Sequence, residues 1–287
     1  MSAGMFSGGS LFWILGQALG GLVRESLAGL LTIAGVWLVL LLRPSSQFTR
    51  VNGALKTLFA SMFVAQGVTL LACALYIAVQ LRWAPIPAFS EGIRFFQDQR
   101  HFILLSALVP AGLCLGAFLL KKANDWRWSD LGVRRAAGSN VQAVFVVVAA
   151  IAVTEAIYFG WSHVSDTFGA TAPYKGLSSE TFSSVSPAWK LFCLVWFLAI
   201  GAFVEELLFR GAMLKVISQV AGIRAGLLLQ AVIFAAMHDT YMNFVPIFLF
   251  GMIAGIVYIR TESIWLPAIV HSATNFLTLL GIAYQLI

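Results

Sequence analysis

The sequence predicts an all-α, polytopic transmembrane helix bundle, and three observations predict it. Of 287 residues, 60% are hydrophobic and only 10% charged, with a mean hydropathy of +0.89. Soluble domains carry about 25% charged residues. Apolar stretches of about 20 residues, the length that crosses a hydrocarbon core, recur along the chain. Clusters of breakers and charges separate them, such as Arg43-Pro44-Ser45-Ser46 and Lys121-Lys122-Ala123-Asn124-Asp125. Eight spans are expected, near 22–42, 54–79, 102–120, 141–159, 189–211, 224–238, 243–260 and 264–286. The sixth is short, and either starts earlier or sits deep without crossing fully.

The net charge of +6 is explained by topology rather than by nucleic acid. Loops assigned alternately to the two sides give twelve Lys and Arg on one, including Arg43, Lys121, Lys122, Arg134, Arg135 and Arg260, and six on the other. The positive-inside rule then places the first set in the cytoplasm and both termini outside. Trp126, Trp128, Trp161 and Trp189 lie near span ends, as an aromatic belt requires. Cys73, Cys114 and Cys193 stand singly in apolar runs and read as small hydrophobes, not as a disulfide framework. Residues 1–23 carry no charge, so the basic region of a cleavable signal is missing. Residues 80–101, with Pro85 and Pro87, suggest a short interfacial element, and residues 160–188 a polar outer loop. The charged stretch near 121–140 separates three spans from five, dividing an N-terminal accessory region (1–135) from a catalytic-core candidate (136–287).

All the costly polar residues fall in the second region. An ionisable group at bilayer depth costs roughly 2.5–3.5 kcal/mol even on the milder insertion scale, so such groups mark sites. Glu206 and Arg210 are helical i,i+4 neighbours and are expected to pair. Glu205 is turned about 100° away and lacks that partner, which suits a carboxylate that takes a proton from water. His238 closes the sixth span. His271 and Asn275, again i,i+4, lie about 10 Å and about 16 Å along the last helix, too deep to reach water at its edge. They are expected to face the bundle interior or a wet cavity. Glu155, placed about a turn from the outer end of the fourth span, and Gln230, two turns before His238, are weaker candidates. His101 and His163 read as solvated loop residues.

The order Glu-Glu-x-x-x-Arg, Phe-x-x-x-His and His-x-x-x-Asn on successive spans resembles the CPBP family of intramembrane proteases, which includes CAAX prenyl endopeptidases and bacteriocin-processing enzymes. The matching residues are Glu205, Glu206 and Arg210; Phe234 and His238; and His271 and Asn275. Asp130-Leu131-Gly132-Val133-Arg134-Arg135 is similar to a lead-in common in that family. The resemblance implies an endopeptidase in which Glu205 activates water with help from His238. In the same scheme His271 and Asn275 stabilise the oxyanion, and Glu206 and Arg210 support the site. It implies a membrane-associated, hydrophobic or lipidated protein or peptide as substrate, the lipid bilayer as setting, no nucleic acid, and a multi-pass protein of a prokaryotic inner membrane. Zinc held by Glu205, His238 and His271 is physically possible. However, the ligands would come from three helices without a His-Glu-x-x-His pair, so no cofactor is the favoured reading. Two other classes fit the polar residues: a non-enzymatic scaffold or immunity protein, and a small proton-coupled transporter.

Overall fold

A computed structural model describes residues 48–83, 99–167, 186–238 and 243–283. The expected first span, the opening Gly-rich segment and most of the loops at 80–101 and 160–188 lie outside these residues. Within them all regular structure is helical: α1 (Phe48–Trp83), α2 (Gln99–Ala123), α3 (Asn140–Thr167), α4 (Pro187–Ala221), α5 (Ile223–Ala236), α6 (Phe244–Thr261) and α7 (Trp265–Ala283), with a 3₁₀ turn at Trp128–Leu131. Four helical stretches among the described residues are long and apolar enough to cross a membrane: Lys56–Cys73 in α1, and α3, α4 and α6. α5 is apolar but has only 14 residues, so the sixth expected span is short in the structure too.

The 35-residue α4 is the central element. Its middle turns bury Leu207, Leu208, Phe209, Ala212, Met213, Val216 and Ile217. The α1–α2 pair packs on one side of it and α5 and α7 on the other, while α3 lies outside α6 and α7. α3 shows Val144, Phe145, Val148 and Phe159 outward, the all-round apolarity of a lipid-facing helix. Cys114 is likewise exposed, whereas Cys73 is buried as expected.

Two helices run further than the sequence pattern predicts. α4 was expected over 189–211, with continuation past Arg210 towards Lys215 as the way for the polar clusters to meet; it continues to Ala221, and the break falls at Gly222, whose φ is +86°. Gly211 marks a close approach instead of a terminus: a Cβ there would stand 2.7 Å from the Leu131 carbonyl oxygen. α3 was expected to end at 159 but reaches Thr167. Ser162 donates to the Phe159 carbonyl and Thr167 to that of His163, both at 2.8 Å, so polar residues that suggested a loop are satisfied inside the helix. His163 is therefore an exposed helical residue rather than a loop residue.

Wide π-helical turns at Leu194–Gly201 and Leu207–Met213 flank the α-helical block Ala202–Glu206. Such turns are frequent at functional sites.

The charged stretch after α2 is fastened to the bundle. Leu131 is fully buried. The Lys215 ammonium donates to the Asp130 carbonyl at 2.9 Å and lies 4.8 Å from the centre of the Trp126 ring. The Ile264 amide donates to the Gly132 carbonyl and the Ala137 amide to that of Thr261, each at 2.8 Å. Arg134 pairs with Glu262 at 2.7 Å. These bonds fix the ends of α4, α6 and α7 relative to one another, which sets the frame for the polar residues between them.

Candidate active site

Continuation of α4 past Arg210 puts Glu205 and Glu206 at the middle of the helix, where α5 and α7 meet it. The two adjacent carboxylates point in different directions. Glu206 is fully buried, and its Oε1 accepts from Arg210 Nη1 at 2.8 Å and from His271 Nδ1 at 2.9 Å. Glu205 keeps 22% of its side-chain surface exposed, and its Oε2 faces His271 Nε2 at 3.9 Å and His238 Nε2 at 4.0 Å. The arrangement joins Glu205, Glu206, Arg210, His238 and His271 from three helical elements.

Arg210 is the largest fully buried side chain among the described residues. Besides Glu206, its guanidinium meets the Gly251 carbonyl of α6 at 3.5 Å and lies 4.4 Å from the Phe234 ring centre and 5.6 Å from that of Phe250. The apolar cage suits a flat, weakly hydrated cation. Gln230 also donates to the Gly251 carbonyl, at 2.9 Å. That carbonyl is reachable because α5 and α6 approach so closely at Gly251 that a Cβ would meet Ala231 at 3.0–3.1 Å. Gln230 therefore braces the clamp from behind and does not line the space before Glu205.

His238 lies just past the last turn of α5, and its Nδ1 donates to the Phe234 carbonyl at 2.7 Å. The last carbonyls of a helix have no intrahelical partner, so the ring caps α5. The ring also packs, tilted, against that of Phe234, with centroids 4.6 Å apart. The two imidazoles thus share one logic. Each gives its Nδ1–H to a fixed oxygen, which orients the ring and turns Nε2 to Glu205.

Asn275 lies one turn beyond His271, about 6 Å further along α7. It is half-buried, and its carboxamide has no hydrogen-bond partner among the described residues. Sequence reasoning passed over two features of this site. The His271–Glu206 bond joins residues 65 apart in sequence, and the Gly251 carbonyl carries no side-chain signal. A pointer to the second was present in Gln230, a buried amide in an apolar run.

Tetrahedral zinc with bonds of about 2.0–2.2 Å holds its ligand atoms roughly 3.3–3.6 Å apart. The separations of 3.9 and 4.0 Å around Glu205 are wider. Two hydrogen bonds of about 2.8 Å meeting at one water at its tetrahedral angle span about 4.5 Å, so the gaps fall between the two cases. Among the described residues, no group of three or more His, Cys, Asp or Glu is disposed to hold a metal ion.

No curated protein and no solved structure matches the chain. A family model, type II CAAX prenyl endopeptidase Rce1-like, matches residues 187–277. Glu205, Glu206, Arg210, His238, His271 and Asn275 all fall within that stretch. Over these residues, about a third of its length, the chain is similar to type II CAAX prenyl endopeptidases of the Rce1-like kind.

Proposed function

We propose that the protein is a glutamate-dependent, metal-independent intramembrane endopeptidase of a prokaryotic inner membrane, acting on a hydrophobic or lipidated peptide. The observation that carries this reading is the convergence of His238 Nε2 and His271 Nε2 on one oxygen of Glu205, while Arg210 pairs with Glu206. A water between Glu205 Oε2 and His238 Nε2 gives one hydrogen to each. Glu205 takes its proton as the oxygen attacks the scissile carbonyl carbon. The resulting oxyanion receives hydrogen bonds from the Asn275 carboxamide and from His271, whose ring Glu206 holds at 2.9 Å. The proton held by Glu205 then passes to the amide nitrogen, the C–N bond breaks, and a carboxylic acid and an amine leave. A well-placed oxyanion donor contributes about 2.7–4 kcal/mol in comparable acyl-transfer sites.

The test uses purified protein in lipid nanodiscs with a quenched-fluorescent, farnesylated peptide. Glu205→Gln and His271→Ala are expected to abolish cleavage while the protein stays folded. Cleavage by both variants at the parental rate refutes the protease reading. Loss of activity to a chelator with recovery on added Zn²⁺ refutes the metal-independent one.

A further inference from the structure

The first turns of α3 and the last turn of α6 do not close on each other. They leave an open notch of about 330 Å³ whose lining includes Gly138, Gln142, Ala143, Val146, Arg260 and Thr261. It is remote from the carboxylates. Arg260 stands nine residues beyond Gly251, the α6 residue that meets Arg210, which is about 13 Å further along the helix.

The notch has a polar rim and an apolar wall. At the rim, Gln142 Oε1 accepts from the Ser139 backbone N–H at 3.0 Å, and Ser139 Oγ accepts from that of Gln142 at 3.3 Å. This exchange is a capping box, which holds the Gln142 carboxamide in place. Gln142 Nε2 keeps two hydrogens and has no partner among the described residues. The Thr261 hydroxyl gives its hydrogen to the Val257 carbonyl at 2.7 Å. Arg260 makes no ion pair among the described residues, and Glu262, two residues on, is paired with Arg134 at 2.7 Å. The side chains free to bind at the rim are therefore donors, and no carboxylate lines the notch. Gly138 keeps the rim open: its φ is +95°, and a Cβ there would meet Gln142 Oε1 at 2.8 Å. Below the rim, Ala143 and Val146 form the wall, and Val144, Phe145 and Val148 continue α3 as an exposed apolar face.

The rim also stands at the right depth. α6 is long and apolar enough to cross a bilayer, and Arg260 is in its last turn. Trp265, four residues past the helix end, is 48% exposed, as suits a tryptophan at a membrane–water boundary.

We propose that the notch binds the phosphodiester headgroup of one anionic phospholipid. Arg260 and Gln142 Nε2 donate to the phosphate, and an acyl chain lies along α3. A guanidinium matches a phosphate in charge and in the geometry of its donors, and basic pockets between spanning helices suit anionic headgroups. A zwitterionic headgroup fits less well, because its ammonium meets no carboxylate in the notch. This inference does not depend on the protease reading.

The experiment uses the full chain in a neutral detergent. Native mass spectrometry counts bound lipid as phosphatidylglycerol or phosphatidylcholine of equal chain length is titrated in. The parent is expected to bind one phosphatidylglycerol at least about fivefold more tightly than phosphatidylcholine, the scale of one cation–phosphate contact at a membrane surface. Gln142→Glu and Arg260→Gln should each bring the two lipids within about twofold. Gln142→Glu keeps an oxygen for the Ser139 amide, so the cap survives while the donor is replaced by a negative charge. Arg260 is exposed, so Arg260→Gln reads the same contact without touching the cap, and circular dichroism checks that both variants stay helical. Inorganic phosphate at the lipid concentration is expected to leave phosphatidylglycerol bound; its displacement would show a site for free phosphate and overturn the lipid proposal. A parent indifferent to headgroup charge, or a phosphatidylglycerol preference that survives both substitutions, overturns it as well.

Discussion

Replacing Arg210 by Met keeps much of the side-chain volume but strips Glu206 of its cation. Both side chains are wholly buried and 2.8 Å apart, so the carboxylate left behind has no water to turn to. Breaking one partner of a buried pair costs about 3–5 kcal/mol, or about two to four decades in the folding equilibrium at 1.36 kcal/mol per decade. Glu206→Gln together with Arg210→Met removes both charges, and the remaining carboxamide oxygen can still accept from His271. The double variant should therefore lose much less than the sum of the two single variants. A coupling of at least about 2 kcal/mol is expected, against about 0.3–0.5 kcal/mol for independent sites. SDS titration of the four proteins in mixed micelles, followed by circular dichroism, measures it. Additive losses would show that the pair is not an electrostatic clamp, and the division of labour between Glu205 and Glu206 would lose its footing.

Three further outcomes are expected. Asn275→Ala should lower kcat by about 10²–10³ with little change in KM and in thermal stability, because the carboxamide acts on the oxyanion and holds nothing in the free protein; a change confined to KM would contradict this. Gly211→Ala should destabilise by about 1–3 kcal/mol, since the new Cβ meets the Leu131 carbonyl at 2.7 Å, and an unaltered melting temperature would show that the 3₁₀ turn moves aside freely. The Asp130 carboxyl accepts from the Arg127 backbone N–H at 2.8 Å, which holds it below its ordinary value of 3.8. A folded-state value below the unfolded one stabilises above the unfolded value and is lost as pH falls through the folded one. The melting-temperature gap between parent and Asp130→Ala should thus stay constant above about pH 5 and narrow below about pH 4.

Helix periodicity made part of this architecture legible. The apolar runs near 141–159, 189–211 and 243–260 correspond to α3, α4 and α6, and the Glu206–Arg210 spacing corresponds to the ion pair. Termini were less legible because glycine and serine have two meanings. Gly211 reads as a stop but serves as a contact, and Ser162 and Thr167 read as loop but bond back to their own helix. The π turns left no trace in the sequence, since Leu194–Gly201 is uniformly apolar and carries the same pattern under either winding. Depth along α7 singled out His271 and Asn275. Only packing of α7 on α4, however, shows that His271 takes its orientation from Glu206, the carboxylate that spacing assigned to Arg210.

The wide turn at Leu194–Gly201 also bears on how this chain tolerates insertions and deletions. A π turn holds one residue more than an α-helix needs. Deletion of a single residue there can be absorbed by tightening the turn, which leaves Glu205 in register with everything C-terminal to it. What displacement remains falls on Pro187–Cys193, where Leu191 already faces outward and one lipid-facing side chain can replace another. The same tightening in Leu207–Met213 has no such slack, because every residue there is buried and would have to repack. Length variation among chains of this kind is therefore expected before the glutamates and not after them.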